Sequence, residues 1–141
     1  MNSSDSIYRY DFTIPESAID ENGHVNNVNY VQWMQDAAVR HFESIGGNAP
    51  MHEAGGTWVV HSHKIEYLTP AYAGEEVEVR TWIADVRRVR STRKYEFVRK
   101  SDDKILVKGE TDWVFVDVKS GRPMAIPDEV ARVFPVHKGN Q

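Results

Sequence analysis

Asp20, Asn22 and His24 stand two residues apart in the run Asp20-Glu-Asn-Gly-His-Val-Asn-Asn27, immediately ahead of a helical pattern. A carboxylate, an amide and an imidazole thus alternate through a turn, for which Asn22-Gly23 is an ordinary dipeptide. A helix N-terminus carries unpaired N–H groups and a partial positive charge. Reactive side chains delivered to that point face a ready-made anion stabiliser, an arrangement suited to attack on an acyl carbonyl. One carboxylate serves either as base toward water or as direct nucleophile, and both routes stay open. A single preorganised oxyanion donor is worth about 3–4 kcal/mol. The plainer reading of the same residues is structural: Asp20 capping the turn, His24 bonded to backbone, Asn26 or Asn27 capping the helix by side chain.

Composition narrows the alternatives. With 141 residues the chain reads as one domain, residues 1–141, large enough for a core without covalent staples. It has no cysteine, which excludes disulfides, thiolate metal sites and cysteine nucleophiles. The first residues have neither a basic start nor an apolar run, so no signal peptide is expected. The longest apolar stretch, Trp113 to Val116, is far short of a membrane helix, and a cytoplasmic protein with no membrane partner is expected. A net charge of −4 argues against nucleic acid as partner. Arg87, Arg88, Arg90, Arg93 and Lys94 nevertheless crowd together, suggesting a small anionic ligand or a solvated strand edge. Period two divides them, with Arg88, Arg90 and Lys94 on one face and Arg87 and Arg93 on the other. His61-x-His63 puts two imidazoles on one strand face, but zinc needs at least three protein ligands and no third is marked; neither metal nor cofactor is expected. Serine-elbow, phosphate-loop and dinucleotide fingerprints are missing.

The elements that must position these residues follow from periodicity. Residues 7–14 alternate, with Tyr8, Tyr10, Phe12 and Ile14 on one parity, which predicts a strand ended by Pro15. From about Val28 the period becomes helical: Tyr30, Met34, Ala37, Ala38, His41, Phe42 and Ile45 form one stripe, and Gly46-Gly47 stops it. Tyr30, Trp33 and Trp58 read as core, with Tyr30, near the helix start, also placed against substrate. A short irregular or helical piece follows at Ala49 to Ala54. Four strands come next, at Trp58–Leu68, Glu76–Val86, Val89–Arg99 and Ile105–Val118, and their short gaps favour antiparallel neighbours. A short terminal helix is expected over Pro127–Phe134, with Pro127 at its first position. One long helix against one antiparallel sheet makes an α+β layer pair. Trp82, Trp113, Val114 and Val116 fall on mixed parities, so neither sheet face reads as polar and a dimer is expected to hide one of them.

The pattern Asp20-x-x-Gly23-His24-Val25-Asn26-Asn27-x-x-Tyr30-x-x-Trp33 resembles the active-site turn and helix start of hotdog-fold thioesterases of the 4-hydroxybenzoyl-CoA thioesterase-like group. The likeness continues through Tyr67-Leu68-Thr69-Pro70-Ala71, Gly74-Glu75-Glu76-Val77 and the segment from Asp117 to Pro127. It implies a hotdog fold, one long helix packed against a five-stranded antiparallel sheet, joined as a homodimer or homotetramer. It implies hydrolysis of an acyl-CoA thioester to acid and CoA, with Asp20 as the carboxylate and the Asn27 backbone N–H as oxyanion donor. Arg87, Arg88 and Arg90 fall where the family holds the CoA phosphates. The Asp20-x-Asn22-x-His24 spacing is also similar to plant acyl-carrier-protein thioesterases, which makes hydrolysis of carrier-bound acyl groups the nearest alternative. A noncatalytic acyl-thioester binding module on the same scaffold is a further one. A thiol leaving group, of pKa roughly 8.5, makes a strong general acid dispensable.

Overall fold

The computed structural model describes residues 6–137. The elements run β1 (Tyr8–Thr13), a 3-10 turn (Glu16–Ala18), α1 (Asn27–Ser44), α2 (Asn48–Glu53), β2 (Gly56–Tyr67), β3 (Glu76–Arg87), β4 (Arg90–Arg99), β5 (Ile105–Asp117) and α3 (Asp128–Ala131). The strands form one five-stranded sheet in the order β1-β3-β4-β5-β2, every neighbouring pair antiparallel. The long helix lies across one face, which is the α+β hotdog arrangement expected. Pro127 caps the last helix rather than opening it, a difference of one position.

Eighteen residues give α1 a length of about 27 Å. Its stripe of Tyr30, Met34, Ala37, Ala38 and His41 is buried, packed on a sheet face that includes Val77, Val79, Tyr95, Phe97 and Val107. Close approach is set at Gly109 of β5, where an added Cβ would stand 2.9 Å from Met34 Sδ. Any side chain at this crossing requires the Met34 thioether to move.

The other sheet face is of mixed polarity, with Trp82, Val59, Val114 and Val116 on the same side as a charged patch. Cross-strand partners there alternate in sign: Lys64 opposite Glu110, Glu110 opposite Lys94, Glu96 opposite Lys108, and Lys108 opposite Glu66. Arg80 adds ion pairs to Glu78 at 2.6 Å and Glu96 at 3.6 Å. Opposite charges on facing strands stabilise each other and solvate this part of the surface. Trp113 belongs to the helix side, packed against the core.

The arginine-rich segment also departs from simple alternation. The β3–β4 register shifts between Ile83 and Asp85, and Arg87 ends directly opposite Arg90. Both reach the same carboxylate, with Arg90 2.8 Å and Arg87 3.8 Å from Asp112. Arg93 goes the other way. It is 4% exposed beneath α1, donating from Nη1 to His41 Nδ1 at 2.8 Å and to Thr81 Oγ1 at 3.0 Å. A second shift, between Val60 and Ser62, leaves His61 outside the β2–β5 register. His63 bonds to Thr111 Oγ1 instead of sharing a ligand with His61. Among the described residues no three His, Asp or Glu side chains assemble into a metal site.

Candidate active site

The turn before α1 is a small hairpin. Ile19 and Val25 bridge antiparallel, with Asn26 N–H donating to Ala18 O at 2.8 Å and Asp20 N–H to His24 O at 2.9 Å. Val25 enters the core. Alternation then puts Asp20 and His24, next along each arm, on the side of the hairpin opposite Val25. Gly23 closes the turn at φ +86°, a left-handed conformation that disfavours a side chain. Asp20 Oδ1 accepts the Asn22 N–H at 2.9 Å, which holds the carboxylate upright over the turn. Asn22 lies exposed at the tip.

The helix begins one residue later than its cap. Asn26 has extended backbone angles and its Oδ1 accepts from Val28 N–H at 2.9 Å. This bond satisfies the second helical N–H and leaves the first, that of Asn27, without an acceptor among the described residues. A free N–H at the positive end of an 18-residue helix is the donor an oxyanion needs.

Beside it lies a cavity of about 260 Å³ lined by His24, Val25, Asn27, Tyr30 and the segment from Tyr67 to Ala71. That segment is held to the turn by Val25 N–H donating to Ala71 O at 2.9 Å, and Tyr72 meets the His24 ring edge-on at 6.0 Å. Tyr30 is 4% exposed, packed edge-on against Trp33, Tyr67 and Phe97. Burial, and secondarily the Glu75 charge, push its phenol well above the usual tyrosine range. It is a neutral wall of the cavity.

The structure therefore brings His24, Asn27 and Tyr30 to one cavity. Asp20 stands half-buried outside the lining, its main-chain N–H bonded to His24 O, while Asn22 is exposed. The wall formed by residues 67–71 was not singled out as part of a site by residue type. Its signal is the strand-ending Tyr67-x-x-Pro70-Ala71, which carries the chain from β2 across the helix tip.

The arginines lie elsewhere. The site sits at the end of the sheet where β3 begins at Glu76, with Ile14 N–H bonded to Glu75 O. Arg87, Arg88 and Arg90 occupy the β3–β4 turn at the other end, eleven residues and about 36 Å along β3. Arg88 has φ +23° and makes no ion pair among the described residues, whereas Arg87 also pairs with Asp85 at 3.3 Å.

Residues 15–134 match the model of the thioesterase-like superfamily. An acyl-[acyl-carrier-protein] hydrolase of Cuphea viscosissima is 26% identical over 140 residues, covering 93% of this chain and 34% of the relative. The chain spans about a third of the length of the curated relatives it matches first. Among solved structures, a 12:0-ACP thioesterase from Umbellularia californica superposes with a TM-score of 0.83 at 22% identity, covering 91% of this chain and 50% of that one. A 1,4-dihydroxy-2-naphthoyl-CoA thioesterase from Synechocystis gives 0.79 at 16% identity, with 90% and 94% covered. These two likenesses are of fold.

Proposed function

The chain belongs to the thioesterase-like superfamily, and from that premise we propose that it hydrolyses acyl-CoA thioesters to the free acid and CoA. Asp20 is the essential carboxylate, acting on water or on the carbonyl carbon. The Asn27 N–H receives the developing oxyanion, and His24, across the hairpin from Asp20, orients the attacking group. Asn22 holds Asp20 through its main chain. The observation that carries the reading is a free N–H on Asn27, a residue that lines the same cavity as His24, with the Asp20 main chain bonded to His24 O.

Asp20→Asn separates chemistry from architecture, because an Asn oxygen still accepts the Asn22 N–H. Thiol release from a panel of acyl-CoA substrates is expected to fall at least ~100-fold in kcat, with stability unchanged. Wild-type turnover in that variant would remove Asp20 from the mechanism.

Hydrolysis of acyl groups on acyl carrier protein is the second reading, favoured by the Asp20-x-Asn22-x-His24 run and by relatives named for that activity. Matched CoA and carrier-protein thioesters distinguish the two.

The functional unit we propose is a homodimer joined along β2. That strand is twelve residues long and among the described residues pairs only with β5, so its outer edge offers unpaired backbone groups. Val59, Tyr67 and Leu68 are exposed beside it at 41%, 47% and 51%. An antiparallel two-fold contact sets the Gly56 end of one β2 against the Tyr67 end of the other. The β3–β4 turn of one protomer then lies at the same end of the joined sheet as its partner's helix tip. In that arrangement Arg87, Arg88 and Arg90 hold CoA phosphates for the neighbouring site.

A further inference from the structure

A second cavity, of about 240 Å³, lies under the far half of α1, walled by Ala38, Phe42, Met51, Trp58, Trp113 and Arg93. Ala38 is eleven residues beyond Asn27, about 16 Å along the helix, and no lining residue is shared with the helix-tip cavity. Its wall is apolar apart from the Arg93 guanidinium and the Thr57 and Ser91 hydroxyls. The indole N–H groups of Trp58 and Trp113 are buried without a hydrogen-bond acceptor, although the Trp113 indole approaches the Tyr95 phenol. The Ser91 hydroxyl donates to Asp85 O.

Arg93 adds a full positive charge. Its Nη1 is used by His41 and Thr81, while the three N–H groups on Nε and Nη2 meet no acceptor among the described residues. No carboxylate among those residues pairs with it, and its hydrogen-bond partners His41 and Thr81 are neutral. Arg93 can only donate, so His41 accepts at Nδ1 as the neutral imidazole. Burial, then the Arg93 charge, lower His41 to about 4. Arg93 itself falls only to about 10 through burial, so it stays charged at neutral pH.

A buried cation with a free donor edge and no carboxylate partner is an incomplete electrostatic arrangement. The Nε–Nη2 edge of a guanidinium matches one carboxylate, both oxygens engaged. An apolar cavity of about 150 Å³ takes a benzene ring; this one is larger by about a carboxylate and a short linker. We propose that the cavity binds a carboxylate carried on an apolar body of roughly one aromatic ring, seated on the free edge of Arg93. Two sources share this chemistry: a free carboxylic acid, or the distal carboxylate of an acyl group whose thioester is cleaved at a helix tip.

Titration of the intact protein with 3-phenylpropionate and with its methyl ester, followed by tryptophan fluorescence, tests the assignment without any thioester. The acid is expected to bind at least tenfold tighter than the ester, and Arg93→Gln to abolish that preference. Equal binding of acid and ester, or no binding of the acid at millimolar concentration, overturns the proposal even if the variant does not fold. Activity then identifies the source. Competition of 3-phenylpropionate with acyl-CoA supports a distal carboxylate on the substrate; binding that leaves hydrolysis unchanged supports a free acid. Because the readout is binding, loss of thioesterase activity in this protein would not be mistaken for its failure.

Discussion

His41 shows how one buried side chain ties stability to pH. It is 3% exposed, stacked on Tyr8 of β1 at 5.3 Å and bonded to Arg93 of β4. Its folded pKa of about 4 lies below the ordinary 6.5, first because burial penalises the imidazolium and then because Arg93 repels it. Between those two values the unfolded chain binds the proton and the folded chain does not. Stability from this group is therefore complete above pH ~6.5 and lost as pH falls toward 4, by at most about 3 kcal/mol. His41→Asn keeps an acceptor near Nδ1 and removes the titration. Urea unfolding between pH 4 and 7 is expected to show a shallower acid loss in the variant; parallel curves would refute the assignment.

At the scale of elements, the crossing of α1 over β5 rests on the missing side chain at Gly109. A Cβ there meets the Met34 thioether at 2.9 Å, a flexible group that shifts for a methyl but not for a branched chain. Gly109→Ala is expected to cost about 1 kcal/mol and Gly109→Val about 2–3 kcal/mol, read as a lowered urea midpoint at unchanged slope. Equal stability of Gly109→Val would mean that helix and sheet are not in close contact here. The helix itself was legible in the sequence because its stripe from Tyr30 to His41 has a period of 3.6, and the strands because their alternation is long. What alternation misreports is any strand with a bulge. The shift between Ile83 and Asp85 moved Arg87 to the Arg90 side, and the shift at Val60/Ser62 separated His61 from His63. The 3-10 turn at Glu16–Ala18 is too short to have a period. Within the site, the Asp20–His24 turn was readable from residue types and spacing. The wall at residues 67–71 was not, since only the tertiary bond from Val25 to Ala71 brings it there. Arg93 reads as one more surface arginine in a basic run, because charge type carries no information about which face a strand turns inward.

On the scale of the whole molecule, the distance between the helix tip and the β3–β4 turn decides how many chains make one site. Roughly 36 Å along β3 separates them within a protomer, whereas a two-fold contact along β2 brings one chain's turn to the end of the sheet that holds its partner's tip. The outer sheet face is largely a charged checkerboard, with Trp82 and Val59 among its apolar residues, and in the proposed dimer the exposed β2 edge forms the contact. This geometry makes a sharp prediction for mixed dimers. Asp20→Asn lacks the carboxylate, and a variant carrying Arg87→Ala with Arg88→Ala lacks phosphate contacts; each alone is expected to turn over acyl-CoA slowly at low substrate concentration. If the arginines serve the neighbouring tip, a dimer of the two variants holds one site with every group intact and one with both defects. Random exchange of subunits then restores roughly a quarter of wild-type sites. If each chain used its own arginines, every site in the mixed dimer would carry one defect and mixing would restore nothing. Activity measured after unfolding and refolding the two variants together, against each refolded alone, separates the outcomes. A sedimentation profile of a monomer would reject the shared site before any assay.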